Sequence, residues 1–248
     1  MGKMLNFEFR KLFRSKSFYI CTIVLIIGCI LNLCLCLAIE HFTKESYGYT
    51  AVELTMSSVI SSVIDTVLAI FISIFVCSDY GDGTLKTVYA RGNSRTSFYW
   101  AKFITVAVSS LIMFVLLIAT TFFMSWIFWE KGSGPSGRQI LAIFTQYLLV
   151  LAIASVYQFF SHLISKLGGA IPVNIFVFGI LSLGTSIIDI IMDSEKIQLS
   201  KWLPESCISL ISSDFVVMDQ VYDGLYCAAG YIIVFGLLGW WASSKKEV

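Results

Sequence analysis

The amino-acid sequence predicts an all-α polytopic membrane protein, and three observations carry that prediction. Of its 248 residues, 57% are hydrophobic and only 13% charged. The mean hydropathy is +0.84, well outside the range of soluble domains. The apolar residues also gather into charge-poor runs of the length a helix needs, about 20 residues, to cross a hydrocarbon layer roughly 30 Å thick. Six such runs appear, at about residues 17–39, 54–78, 103–129, 139–165, 167–188 and 224–242. Barrel strands would alternate every second residue over about 10 residues, whereas these runs are apolar throughout, so six transmembrane helices are the better reading. No soluble domain fits between them, and residues 1–248 read as a single transmembrane domain.

The stretch MLNFEFRKLFRSKSF precedes the first run. Leu5, Phe9, Leu12 and Phe13 recur at helical spacing, with Glu8, Arg10, Lys11 and Arg14 on other faces, so residues 1–16 read as an interfacial amphipathic helix. A plain basic flank that fixes topology is the alternative. The first run, Ser17 to Ile39, has 23 uncharged residues. That exceeds the usual apolar core of a signal peptide, about 7–15 residues, and no small-x-small cleavage site stands out, so this span is expected to stay. Four of the seven cysteines, Cys21, Cys29, Cys34 and Cys36, lie in it, with Cys77 and Cys227 in or beside later runs and only Cys207 outside. They read as packing, and there is no metal-type CxxC pair.

Asp65 interrupts the second span about 12 Å from its outer end, where an ionised carboxylate costs on the order of 2.5–3.5 kcal/mol. It is the substrate-pathway candidate; Ser61, Ser62 and Thr66 nearby offer a purely structural, hydrogen-bonded alternative. The chain then turns polar over residues 79–97, DYGDGTLKTVYARGNSRTS. Asp82 or Thr84 is placed to cap a short helix on which Leu85, Val88 and Tyr89 form an apolar face, and Gly92 is placed to end it. Asn93 or Ser94 caps the next helix, which returns to the membrane through Phe98, Tyr99 and Trp100, with Lys102 expected to snorkel toward the headgroups. A short amphipathic helix fixed between two long spans suits contact with a soluble partner that transmits force.

Charge placement predicts the orientation. With the N-terminus inside, twelve of the seventeen Lys and Arg residues fall on the cytoplasmic side, among them Lys3, Arg10, Lys86, Arg91, Arg95, Lys102 and Lys166, while most of the acidic residues fall outside. Both termini are therefore expected in the cytoplasm. Trp100 and Trp126 lie 26 residues apart, about 39 Å along a helix, close to the separation of the two headgroup belts. Residues 132–137, GSGPSG, match GxGxxG in form, but with no strand before them they read as a turn. Asp189 sits where headgroup water can solvate it. The apolar content of residues 192–223 predicts one or two short helices in the last external loop, with a small extracellular cap as the alternative.

Asp79-Tyr80, Gly83-Thr84-Leu85-Lys86 and Arg91-Gly92-Asn93-Ser94-Arg95 followed by Lys102 resemble the segment after the second span of ABC-2 type permeases. There an acidic residue, a Gly-Thr-x-Lys run and a Gly-x-Ser-Arg run precede the third span; Asp79 stands where the family pattern usually has Glu. The likeness extends over nearly the whole chain, and the size is most similar to the small permeases of lantibiotic-immunity and bacitracin-resistance exporters. The resemblance implies a short cytoplasmic coupling helix around residues 82–91 that docks on an ABC ATPase subunit. It also implies a second contact near residues 162–169, so that Leu85, Lys86, Val88, Tyr89, Arg91, Arg95, His162 and Lys166 are the expected ATPase-coupling residues. It further implies pairing of two six-span subunits, as homodimer or heterodimer, in a bacterial cytoplasmic membrane.

Consistently, the chain has no G-x-x-x-x-G-K-[ST] loop, so Mg-ATP chemistry is expected in another chain and no cofactor in this one. With only His41 and His162, on opposite sides, and no HExxH or GxSxG, catalysis is disfavoured, and no metal site or nucleic-acid partner is expected. The first functional expectation is an ATP-driven exporter subunit that moves an amphipathic peptide, antibiotic or lipid-like substrate, with antimicrobial peptide immunity favoured. The second is an ATP-independent secondary transporter or channel that uses Asp65, and the third a non-transporting immunity protein that sequesters its ligand.

Overall fold

The computed structural model describes residues 1–43, 50–60, 62–81, 94–129, 136–192, 198–211 and 217–245. Their secondary structure is helical: α1 (Gly2–Arg14), α2 (Lys16–Thr43), α3 (Ala51–Ser57), α4 (Ser62–Gly81), α5 (Arg95–Phe128), α6 (Gly137–Ile164), α7 (Leu167–Met192), α8 (Pro204–Ile211) and α9 (Met218–Lys245). Short 3-10 turns occupy Ser58–Ile60 and Leu199–Trp202. Six helices, α2, α4, α5, α6, α7 and α9, are long and apolar enough to cross a membrane. Six such helices among the described residues mark a membrane protein.

Local chemistry sets where these helices begin. Ser94 caps α5 by accepting from the Ser97 amide at 3.2 Å, and Ser136 with Gln139 forms a capping box at the start of α6. Ser165, in the left-handed region at φ 58°, stops α6 and turns the chain into α7.

The second span departs from its expected limits of 54–78. A capping box of Thr50 and Glu53 starts α3 as a separate helix. The hydroxyls of Thr55, Ser57 and Ser58 then bond back to the carbonyls of Ala51, Leu54 and Thr55, and a 3-10 turn breaks the path before α4 begins at Ser62. Serine and threonine offer the backbone local partners that compete with a continuous helix, a property invisible to hydropathy. Asp65 consequently lies in the first turn of α4, about 5 Å from its start, rather than deep in a long span.

Helices α4 and α6 form the centre, with 61% of each span buried, whereas α7 is only 11% buried. Phe176, Ile180, Leu183 and Ile187 on α7 and Ile20, Ile23, Ile27 and Leu31 on α2 stay exposed at helical spacing, as hydrocarbon-facing residues do. Phe178 of α7 packs on Tyr157 of α6, ring centres 5.7 Å apart, and a polar tie adds to it. Asn174 is fully buried, and its Nδ2 donates to Ser73 Oγ at 2.9 Å, Ser161 Oγ at 2.9 Å and the Tyr157 carbonyl at 3.2 Å. At the other end of α7 the Asp189 carboxylate accepts the amides of Leu199 and Ser200, at 2.7 and 2.9 Å, and so holds the 3-10 turn beneath α8. The end of the bundle where α1 packs is called the α1 end below; α3 and α8 occupy the opposite end.

Candidate functional site

The α1 end carries the chain's densest cluster of buried charge. Met4, Glu8 and Leu12 recur every fourth residue along α1, and all three are buried, so the face of α1 that packs on the bundle has a carboxylate at its middle. Met4 packs against Phe98 and Ala101 of α5. Glu8 Oε2 accepts from Lys102 Nζ at 2.8 Å. Lys102, fully buried, also donates to Asp79 Oδ2, and Lys11 donates to Asp79 Oδ1 and to Ser78 Oγ, the latter at 3.2 Å. Two ammonium groups and two carboxylates thus interleave and cancel in sum. Phe75 is sandwiched beside them, with Lys102 Nζ 4.1 Å and Lys11 Nζ 5.4 Å from its ring centre, a further attraction that survives loss of water.

Lys11 is the only member that reaches solvent, with 26% of its side chain exposed. Burial and the neighbouring Lys102 push its pKa down, against the upward pull of Asp79. For a buried ion pair, desolvation is repaid only by close geometry and by further hydrogen bonds, and this cluster supplies both.

The cluster fixes the two backbone ends that flank residues 82–93. Asp79 is two residues before the end of α4 and Lys102 lies two turns into α5, so their ion pair joins the flanks directly. Around it, Tyr80 Oη and His162 Nδ1 lie 2.9 Å apart, and His162 packs between the rings of Tyr80 and Tyr99 at 5.9 and 5.3 Å. Arg95 donates to the Ser244 carbonyl at 3.2 Å, and Trp240 to Thr96 Oγ1 at 3.3 Å, which pins the end of α9 to the start of α5. Gly239 makes that approach possible, because a Cβ there would stand 2.3 Å from Tyr99 Oη. Five helices, α1, α4, α5, α6 and α9, meet as one cross-linked platform.

This placement corrects several sequence expectations. Lys102 does not snorkel: two carboxylates in reach hold its ammonium inside. Glu8 lies on the packed face of α1 rather than on another face, while Phe13 is 49% exposed and Leu5 and Phe9 are half-buried around Leu12. His162 is 1% exposed, so its ring packs inside the platform and presents no surface to a partner; Lys166, four residues on, is exposed. Leu85, Lys86, Val88, Tyr89 and Arg91 lie outside the described residues. Sequence reasoning missed Glu8 and Asn174. The available signals were an acid alone among the bases of residues 1–16, at spacing four from Met4 and Leu12, and an amide in an otherwise apolar run.

The opposite end is built differently. Asp65 Oδ1 is buried and takes no hydrogen bond, and the charge acting on this carboxyl is that of another carboxylate, Glu205 of α8. Burial pushes the Glu205 carboxyl above its ordinary range. Among the described residues no group of three or more His, Cys, Asp or Glu side chains is arranged to hold a metal ion.

A family model described as a protein of unknown function (DUF2705) matches residues 19–248, which takes in all six apolar helices except the first residues of α2, and leaves α1 outside. No curated protein matches the chain.

Proposed function

The chain belongs to the DUF2705 family, and we propose that it is the membrane-spanning subunit of an ATP-driven exporter of the ABC-2 type. In this reading it performs no catalysis itself. Mg-ATP is bound and hydrolysed by separate ATPase subunits that grip residues 82–91, and a second six-span permease completes the transport unit. The substrate is an amphipathic peptide, antibiotic or lipid-like compound taken out of the bilayer, with antimicrobial peptide immunity the favoured role. The α1 end faces the cytoplasm of a bacterial cell, α1 lies at the lipid interface, and both termini are cytoplasmic.

The observation that supports this most is the ion cluster of Glu8, Asp79, Lys102 and Lys11. A partner that pushes on residues 82–93 delivers force only if the flanks are stiff and joined to the rest of the bundle. Asp79 and Lys102 join them, and Glu8 extends the joint to α1. The sequence fits too: one intramembrane carboxylate is a poor lining for an ion or sugar path but adequate for a bilayer-partitioning substrate.

The test is copurification of the tagged full-length protein from native membranes. A P-loop ATPase chain is expected with the wild type and is expected to be lost with Leu85→Asp, while membrane fractionation shows the variant still inserted. Absence of any P-loop chain with the wild type overturns the reading. The unpaired oxygen of Asp65 favours one alternative, an ATP-independent transporter that uses this carboxylate. That alternative predicts transport abolished by Asp65→Asn and indifferent to Leu85→Asp.

A further inference from the structure

The cap at the opposite end brings two thiols together from separate elements. Helices α8 and α9 run antiparallel in contact at Gly224, where a Cβ would stand 2.7 Å from Ile211 Cδ1. Stepping one turn from this contact in each direction, four residues back along α8 reaches Cys207 and three residues forward along α9 reaches Cys227, so the helix pairing sets the two side chains opposite each other. Hydrogen bonds agree. Cys207 Sγ donates to the Lys201 carbonyl at 3.2 Å and Cys227 Sγ to the Trp202 carbonyl at 3.1 Å, so both sulfurs lie against consecutive peptides of one 3-10 turn. The ionisation of each thiol also depends on the other, as that of neighbouring side chains does. Both are nearly buried, yet each opens onto a cavity. Cys207 lines one of about 200 Å³ with Lys201, Gln220 and Asp223, polar enough to hold water, and Cys227 lines a larger one of about 480 Å³ among Trp202, Tyr226 and Tyr231.

We infer that Cys207 and Cys227 are a disulfide-forming pair that staples α8, the helix of Glu205, to α9. The inference rests on the proposed orientation, which puts this end on the oxidising side of the membrane, where disulfides persist. The oxidant is a dithiol–disulfide exchanger in its disulfide form. The Cys207 thiolate attacks one of its sulfurs; the oxidant's S–S bond breaks, a mixed disulfide forms and one oxidant thiolate leaves. The Cys227 thiolate then attacks Cys207 Sγ, closing the Cys207–Cys227 bond and expelling the second oxidant thiolate. The two protons lost by the chain's thiols go to the two released thiolates, and the chain gives up the two electrons the oxidant gains. Cys207 is suited to the first attack, since the neighbouring Cys227 holds its thiol below the usual range and it faces the polar cavity.

The experiment uses the full-length chain with Cys21, Cys29, Cys34, Cys36 and Cys77 replaced by serine, so that only this pair remains. Cells are quenched in acid, the protein is denatured, and polymer-linked maleimide is added before or after dithiothreitol. No addition before reduction and two additions after it are expected, on a monomer-sized band; the added Cys207→Ser change is expected to give one addition without reduction. Two additions before reduction, or a disulfide that links separate chains, overturn the inference. Orientation is read separately from Ser209→Cys, an exposed α8 position, in an otherwise cysteine-free chain labelled in intact cells by a membrane-impermeant maleimide. Labelling with a reduced pair sinks the staple alone, and no labelling sinks both the staple and the proposed orientation.

Discussion

The two ends of this bundle bury carboxylates in opposite ways. At the α1 end Glu8 and Asp79 face Lys102 and Lys11, so every buried charge has a partner of the other sign. At the opposite end the charge acting on Asp65 is that of a second carboxylate, Glu205; one oxygen of Glu8 and one of Asp65 alike lack a hydrogen bond, so the sign of the neighbour is what differs. A matched cluster resists any change that leaves one of its charges behind, and so behaves as a rigid joint. An unmatched carboxylate is poised for something else to arrive, whether a proton, water or a ligand group. The comparison teaches that burial of charge alone does not define a role; the sign and distance of the neighbours do.

The largest effect is expected from Lys102→Met. It strands the Glu8 carboxylate and leaves Asp79 with Lys11 alone, and breaking a buried pair in this way costs about 3–5 kcal/mol, read as a lower unfolding midpoint in detergent and lower membrane yield. Adding Glu8→Gln to that variant is expected to recover most of the loss, because one charge of each sign then leaves and Asp79 keeps Lys11. A Lys102→Met protein as stable as the wild type would break the comparison at its root. Asn174→Leu comes next, at about 1–3 kcal/mol for the buried hydroxyls and carbonyl left without their donor, measured by the same unfolding assay.

Asp65→Asn sharpens the contrast by sign. Removing an unmatched buried charge is expected to leave the midpoint unchanged or raise it, where the isosteric Asp79→Asn lowers it. Equal losses at both positions would show that Asp65 has a partner after all. The smallest effect concerns pH. Because burial raises the folded-state pKa of Glu205, the folded protein binds more protons than the unfolded chain just above the ordinary carboxyl value of 4.5. Stability is therefore expected to fall as pH rises from about 4.5 toward the raised value, and Glu205→Gln is expected to flatten that slope in unfolding scans between about pH 4 and 7.

Much of the architecture is legible residue by residue. Apolar runs of sufficient length mark the helices that cross the membrane, Ser94, offered with Asn93, announces the start of α5, and the bases crowd toward one end. These are local properties, carried by hydropathy, capping chemistry and count. The break between α3 and α4 escaped that reading because hydropathy continues across it, while Thr50 and Glu53 cap a separate helix and a 3-10 turn follows it.

By itself, then, the sequence determined the number of apolar helices, their approximate limits and the charge asymmetry between the two ends. Which of the charged residues meet was decided only by the fold. Lys102 read as a snorkelling lysine because its local surroundings are those of a membrane interface, yet it is buried against Glu8, 94 residues away, and Asp79. Asn174 reaches Ser73 across 101 residues, and Cys207 and Cys227 come to consecutive peptides of one turn where Gly224 lets two helices touch. The physical reason is the same each time: helix formation is written in neighbours a turn apart, whereas the energy of a buried polar group depends on partners that only chain folding brings within about 3 Å.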